Sequence, residues 1–252
     1  MLKTRVIPCM LFNGFNLIKT IKFENIRNLG NPIQTARVYN SRNVDELIFI
    51  DMKASEDKRE IFYDIVENIA KECFMPLTIG GGIHSLEDIS RLLKVGADKV
   101  SINSEAIKNS QFIRQASKKF GSQCVVVSID VKKEDGDYYV FINRGKENSG
   151  KRAVDWAKEV ERFGAGEILL NSIDKDGTMG GFDCDLVKEI SSSVSLPIIA
   201  LGGAGKVQDI IDVIKLGGAD AVSLSSMFHY SGHTVNSIKQ RMLQAEILVR
   251  II

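Results

Sequence analysis

Four aspartates, Asp51, Asp130, Asp174 and Asp176, stand at the ends of apolar runs, where carboxylates can do acid–base chemistry. Asp130 closes Val125-Val126-Val127-Ser128-Ile129. That position sets its carboxyl at the rim of a buried strand, where a raised proton affinity suits a general acid or base. Asp174 and Asp176 lie in Ser172-Ile173-Asp174-Lys175-Asp176-Gly177-Thr178. An aspartate before a glycine in a short loop also makes an Asx-turn, so catalysis and turn geometry are both open for Asp176.

A second chemistry is anion binding. Gly81-Gly82 and Gly202-Gly203 each end an apolar run, and the next run ends in Asn103-Ser104 or Ser225-Ser226. A Gly-Gly pair at a strand's C-terminal end lets bare N–H groups face an anion, and the Ser or Asn adds donors at a helix start. Glycine also serves tight turns for geometry alone. Two pairs in register, each followed by such donors, favour two phosphate cradles. A ligand phosphorylated at both ends would span them.

Short β-branched runs alternate with longer amphipathic segments along the whole chain, the pattern of repeated βα units. Eight strands are predicted: Arg5–Leu11, Glu46–Asp51, Pro76–Ile79, Lys99–Asn103, Cys124–Asp130, Glu167–Asn171, Pro197–Leu201 and Ala221–Ser225. Helical segments follow seven of them. One opens with Ser85 as N-cap and Asp88 at the third position, and Gly96, Gly121, Gly164 and Gly217 are predicted helix terminators. Eight units close into a single (β/α)8 barrel of the α/β class spanning residues 1–252, and about 250 residues is the usual length. Two excursions break the rhythm. A loop from Phe12 to about Asn31 carries Lys19 and Lys22, and a small hairpin through Tyr138–Ile142 follows strand five.

The chain also repeats itself. Pro76 to Ser104 matches Pro197 to Ser226 with one residue of slippage, and Glu46-Leu47-Ile48-Phe49 matches Glu167-Ile168-Leu169-Leu170. The repeat unit is a four-stranded half barrel, which puts the two glycine cradles on opposite sides of one mouth.

Charge and composition narrow the function. With 33 Lys+Arg against 32 Asp+Glu the net charge is +1, without the basic surplus of a nucleic-acid binder or the basic stripe of a membrane-surface protein. The apolar runs are far shorter than the roughly 20 residues that span a bilayer. No secretory signal pattern opens the chain, so a cytoplasmic location is expected. Cys9, Cys73, Cys124 and Cys184 form no CxxC pair, and His84, His229 and His233 are scattered. No disulfide framework, metal or cofactor is therefore expected. Cys9 and Cys124 read as buried structural thiols within strands.

From end to end the chain resembles the cyclase subunit family of imidazole glycerol phosphate synthase. The resemblance rests on Arg5-Val6-Ile7-Pro8-Cys9, Phe23-Glu24-Asn25, Asp45-Glu46-Leu47, Pro76 to Ile83, Gly121-Ser122-Gln123-Cys124, Gly164 to Leu170, Asp176-Gly177-Thr178 and Gly202-Gly203-Ala204-Gly205. It implies a barrel that takes ammonia from a glutaminase partner and adds it to a bisphosphorylated aminoimidazole precursor. It further implies a bottom gate matched by Arg5, Glu46, Lys99 and Glu167, catalytic roles for Asp130 and Asp176, and a ligand-binding set. That set is Lys19, Gly81, Gly82, Asn103, Ser104, Asn171, Gly177, Gly202, Gly203, Ser225 and Ser226. Four charges at strand starts would otherwise read as structural ion pairs.

One departure stands out. The family's strand-one carboxylate, the acid–base partner of Asp130, is replaced here by Leu11. The repeat marks the same gap, because Val6–Leu11 is the counterpart of Val125–Asp130. Phe15 and Thr20 stand where loop glycines are usual, and Asn171 where a threonine is. Leu11, Lys19-Thr20 and Leu170-Asn171-Ser172-Ile173-Asp174 resemble cyclase-like paralogues of bacterial surface-sugar clusters, which act with a glutaminase and an amidotransferase-like enzyme to turn an acetamido group into an acetamidino group. That resemblance makes amidine formation the leading expectation, with the histidine-pathway cyclase, or a non-catalytic ammonia conduit, as alternatives.

Overall fold

The computed structural model describes residues 3–57 and 59–251. Twelve strands run in chain order as β1 (Arg5–Phe12), β2 (Leu17–Ile21), β3 (Glu24–Gly30), β4 (Leu47–Asp51), β5 (Leu77–Gly80), β6 (Lys99–Ile102), β7 (Val125–Glu134), β8 (Asp137–Ile142), β9 (Glu147–Arg152), β10 (Glu167–Ser172), β11 (Ile198–Leu201) and β12 (Ala221–Leu224). Eight of them, β1, β4, β5, β6, β7, β10, β11 and β12, pair side by side in parallel, and the β7–β10 pairing closes the ring. This is the (β/α)8 barrel expected from the alternation, with every predicted strand present to within a few residues.

The helices are α1 (Pro32–Ser41), α2 (Tyr63–Ala70), α3 (Leu86–Lys94), α4 (Ser104–Lys108), α5 (Gln111–Phe120), α6 (Ala153–Arg162), α7 (Cys184–Ser191), α8 (Val207–Lys215), α9 (Ser226–Tyr230) and α10 (Val235–Gln244). Ser85 caps α3 in a full capping box with Asp88, as the spacing predicts. Gly96, Gly121 and Gly164 take positive φ at helix ends, but after α8 that role falls to Gly218 (φ 74°) and not to Gly217. Room around Gly217 explains its identity instead, because a Cβ there would lie 2.6 Å from the Val213 carbonyl oxygen.

Alternation along each strand divides the apolar residues between two cores. Val6, Met10 and Phe12 pack outward under the helices, whereas Ile7, Cys9 and Leu11 face the barrel axis with Ile48, Val126, Leu169 and Ile199. Leu11 is therefore an inward residue at the top of β1, and β1 sits four strands from β7 in either direction. Cys9 is buried as expected, but Cys124 is half-buried in a short turn ahead of β7.

The repeat is visible atom by atom. Asp98 accepts from the Leu77 N–H at 2.8 Å, and Asp220 accepts from the Ile198 N–H at 2.9 Å. Asn103 (φ −124°, ψ −95°) and Ser225 (φ −134°, ψ −75°) share one backbone conformation, each opening a five-residue helix.

Both excursions differ from the sequence expectation. The Phe12–Asn31 loop is a β2–β3 hairpin whose turn residues Lys22 and Phe23 both take positive φ (53° and 64°). Turns of that shape favour Asn-Gly, so nothing local announced it. The insertion after strand five is three-stranded: β7 runs on to Glu134, turns at Asp135-Gly136 into β8, and β8 pairs with the polar β9.

Candidate functional site

A cavity of about 820 Å³, counted to its open mouth, lies at the C-terminal end of the barrel strands. Its floor and walls bring together Lys19, Gly81, Asn103, Ser104, Asp130, Asn171, Asp176 and Ser225, residues that the sequence nominates from five barrel strands and two loops. A smaller adjoining pocket of about 260 Å³ is lined by Lys19, Asp176, Gly177, Gly202, Gly203, Ser225 and Ser226. The second glycine cradle is thus one connected surface. In the first cradle Gly81 faces the main cavity, whereas Gly82 turns outward and lines a groove with Arg59 and His84.

Asp130 is the buried carboxyl group at the centre of the cavity. It stands at the point where β7 leaves the barrel, 9% exposed. Asn103 Nδ2 donates to Oδ2 at 2.6 Å, and Asn171 Nδ2 donates to Oδ1 at 3.1 Å. Burial raises its pKa from the ordinary 3.8 to about 6, against the pull of the two amide donors and with a small push from Asp176. Because both amide nitrogens point at Asp130, the buried Oδ1 atoms of Asn103 and Asn171 have no protein partner, and neither does the Ser225 hydroxyl. Buried polar atoms facing a cavity are ready acceptors and donors for a ligand.

Asp176 is differently employed. Its Oδ1 accepts from Lys19 Nζ at 2.9 Å and its Oδ2 from Thr20 Oγ1 at 2.7 Å, with all three side chains buried. The Lys22 N–H also bonds the Asp176 carbonyl at 2.9 Å, and a Cβ on Gly177 would lie 2.1 Å from the Thr20 carbonyl oxygen. Asp176-Gly177 is therefore the seat on which the β2–β3 hairpin closes, not an Asx-turn. Thr20, noticed in the sequence only as a departure, is part of that seat. Asp51 is held by Arg59 through two contacts of 2.7 Å, and Asp174 accepts from the Lys133 N–H, so both fix loops.

Leu11, 8% exposed, lines the cavity within an apolar group that includes Cys9, Ile18, Ile50 and Leu201. The wall that faces Asp130 from β1 therefore carries no carboxylate. Burial pushes the neighbouring Cys9 thiol up to about 12, which leaves it un-ionised and poorly nucleophilic.

At the opposite end, Arg5, Glu46, Lys99 and Glu167 form a closed ring of alternating charge. Arg5 Nη1 lies 2.7 Å from Glu46 and 2.7 Å from Glu167, and Lys99 Nζ lies 3.1 Å from Glu46 and 2.9 Å from Glu167. Sequence reasoning missed other polar residues that line the cavity: Ser55, Ser101 and Ser128, and Asn143 and Arg144 at the β8–β9 turn. No spacing or motif marks them.

Residues 5–234 match the family described as histidine biosynthesis protein. The chain belongs to that family. It is 45% identical over 254 residues to the imidazole glycerol phosphate synthase subunit HisF of Lactococcus lactis subsp. lactis (strain IL1403), covering 100% of this chain and 98% of the relative. It is likewise 45% identical over 251 residues to the subunit of the same name from Alkaliphilus metalliredigens (strain QYMF), covering 99% of this chain and 100% of the relative. Both alignments span the whole barrel of this chain, including the ends where the cradles and the charge ring sit.

Proposed function

We propose that this protein is the ammonia-using subunit of a glutaminase-coupled synthase, and that its ligand is a phosphorylated small molecule held between the two cradles. Family membership and the relatives' names support the synthase reading. The Gly202, Gly203, Ser225 and Ser226 pocket supports phosphate, and the charge ring of Arg5, Glu46, Lys99 and Glu167 supports ammonia entry from the bottom face.

The finer reading is amidine formation on the acetamido group of a bacterial surface sugar. One observation carries it: Leu11 occupies the inward position on β1 that faces Asp130. In this reading Asp130, poised near neutrality, takes a proton from ammonia as the new C–N bond forms, and a third protein activates the amide oxygen that leaves. Asn103 and Asn171 hold the carboxylate in place, and Asp176 positions Lys19 beside the second cradle.

The histidine-pathway cyclase is the second reading, and the names of both relatives favour it over amidine formation. Ring closure by an acid–base pair needs a partner for Asp130, and losing one member of such a pair costs about 10²- to 10⁴-fold. Reconstitution with a glutaminase and the aminoimidazole precursor separates the two. Little imidazole glycerol phosphate is expected. Robust turnover would establish the cyclase and set the amidine reading aside. Asp130→Asn tests the conduit alternative, because a pure conduit keeps pathway function without the carboxyl.

A further inference from the structure

The β8–β9 turn reaches over the mouth of the cavity and touches four other parts of the rim. Asn143, Arg144 and Gly145 all take positive φ (51°, 59° and 71°), which curls the tip inward. The Asn143 N–H donates to Ser104 Oγ at 3.2 Å, and Arg144 Nη2 donates to the Phe23 carbonyl at 3.4 Å. Arg144 Nη1 and Lys146 Nζ both bond the Glu56 carboxylate on the loop after β4, and a Cβ on Gly145 would lie 3.1 Å from Ile173.

Arg144 is the informative residue. Its side chain is 15% exposed, it lines the cavity beside Gly81, Asn103 and Ser104, and its Nε is buried with no acceptor. Two cations line this cavity among the described residues. Lys19 is held by Asp176, whereas Arg144 keeps one buried donor without a partner. A guanidinium offers a fixed fork of donors matched to phosphate or carboxylate oxygens, and a buried donor without a partner is costly unless a ligand fills it.

Glu56 lies outside the cavity lining and holds the outer edge of the same guanidinium. Lys146 and Arg144 hold the Glu56 carboxyl down at about 2, so it is ionised at every working pH and competes with any incoming anion for Arg144.

We propose that Arg144 is a specificity-determining residue: it binds an anionic oxygen of the ligand at the Gly81–Asn103–Ser104 end, making a charged lip above the first cradle. The ligand class this selects carries its phosphate at the rim, within reach of the β8–β9 tip. The proposal rests on the phosphorylated-ligand reading above.

Inorganic pyrophosphate, titrated into the full chain and followed by amide NMR shifts, tests it. Resonances of Asn103, Ser104 and Gly145 report the first cradle, and those of Gly203 and Ser226 report the second. Arg144→Gln should weaken binding at the first set by about tenfold, the effect of losing one charge-assisted hydrogen bond, and leave the second set unchanged. Glu56→Gln should tighten binding at the first set severalfold, because it frees the guanidinium. If Arg144 acts only as a latch to Glu56, both variants weaken binding alike, and that result overturns the proposal. Unchanged affinity at the first set in Arg144→Gln overturns it too. A wild-type chain with no shift at either set removes both the proposal and the phosphorylated-ligand reading, whereas binding at the second set alone removes only the proposal.

Discussion

Replacing Asp130 with asparagine should make the protein more stable at neutral pH, a gain that is lost as the pH falls and gives way to a deficit of about 1 kcal/mol in acid. In the folded state Asp130 titrates at about 6, against an ordinary 3.8 when the chain unfolds. A carboxyl whose folded pKa is raised opposes folding once it ionises. The opposition is absent below about pH 3.8, grows through the interval and is complete above about pH 6. Roughly two pH units at about 1.4 kcal/mol each give a penalty of about 3 kcal/mol at pH 7.5.

Asparagine removes that charge and keeps the shape, at the cost of pointing an amide toward one of the two amide donors. Rotation of the Asn103 side chain answers this, because its buried Oδ1 has no partner and can accept from the new amide. Allowing about 1 kcal/mol for an imperfect hydrogen bond leaves a net gain of about 2 kcal/mol. For a chain of this size that is about 4–8 °C in melting temperature. Thermal melts of both proteins at pH 4, 5, 6 and 7.5 check it. A difference that does not change with pH, or an asparagine variant less stable at pH 7.5, would show that burial does not dominate the Asp130 environment.

Three further outcomes follow from the same geometry. Asp176→Asn strands the buried Lys19 charge, so it should cost about 3 kcal/mol and free the β2–β3 hairpin; trypsin should then cut after Lys22 faster than in the wild type, and an unchanged rate would refute the seat. Lys239 pairs with Asp45 at 2.6 Å with both side chains buried, so Lys239→Ala should lower stability by about 3–5 kcal/mol, whereas Lys239→Met with Asp45→Asn, which still accepts from the Val6 N–H, should recover most of it, as judged by urea midpoints. Leu11→Asp places a second carboxylate among apolar neighbours and across from Asp130, so Asp130 should titrate higher still. NMR titration of the Asp130 carboxyl reads this, and no upward move would mean the two side chains do not share the cavity.

Several features of the fold and site are written into the sequence because they depend on short-range pattern. Continuous apolar runs four to eight residues long demand strands covered on both faces, and the alternation within Arg5–Leu11 already turns Leu11 the same way as Ile7 and Cys9. The half-barrel repeat placed Gly81 and Gly202 on opposite sides of the mouth, since equivalent sequence must take up equivalent positions. Asp130, Asn103 and Ser225 were legible for the same reason: each ends a strand.

Only the tertiary structure decided what these groups do to one another. Asp176 meets Lys19 and Thr20 across more than 150 residues of chain, and a pairing at that separation leaves no local signature. The Lys22-Phe23 turn lacks the usual turn residues because Asp176 holds it from outside the hairpin. Arg144 reads as an ordinary exposed cation until β8 and β9 fold it over the mouth. Residue type and spacing determine which side chains face the axis; packing of distant segments determines whether a carboxylate there is buried between neutral amide donors, as Asp130 is, or clamped by a buried cation, as Asp176 is.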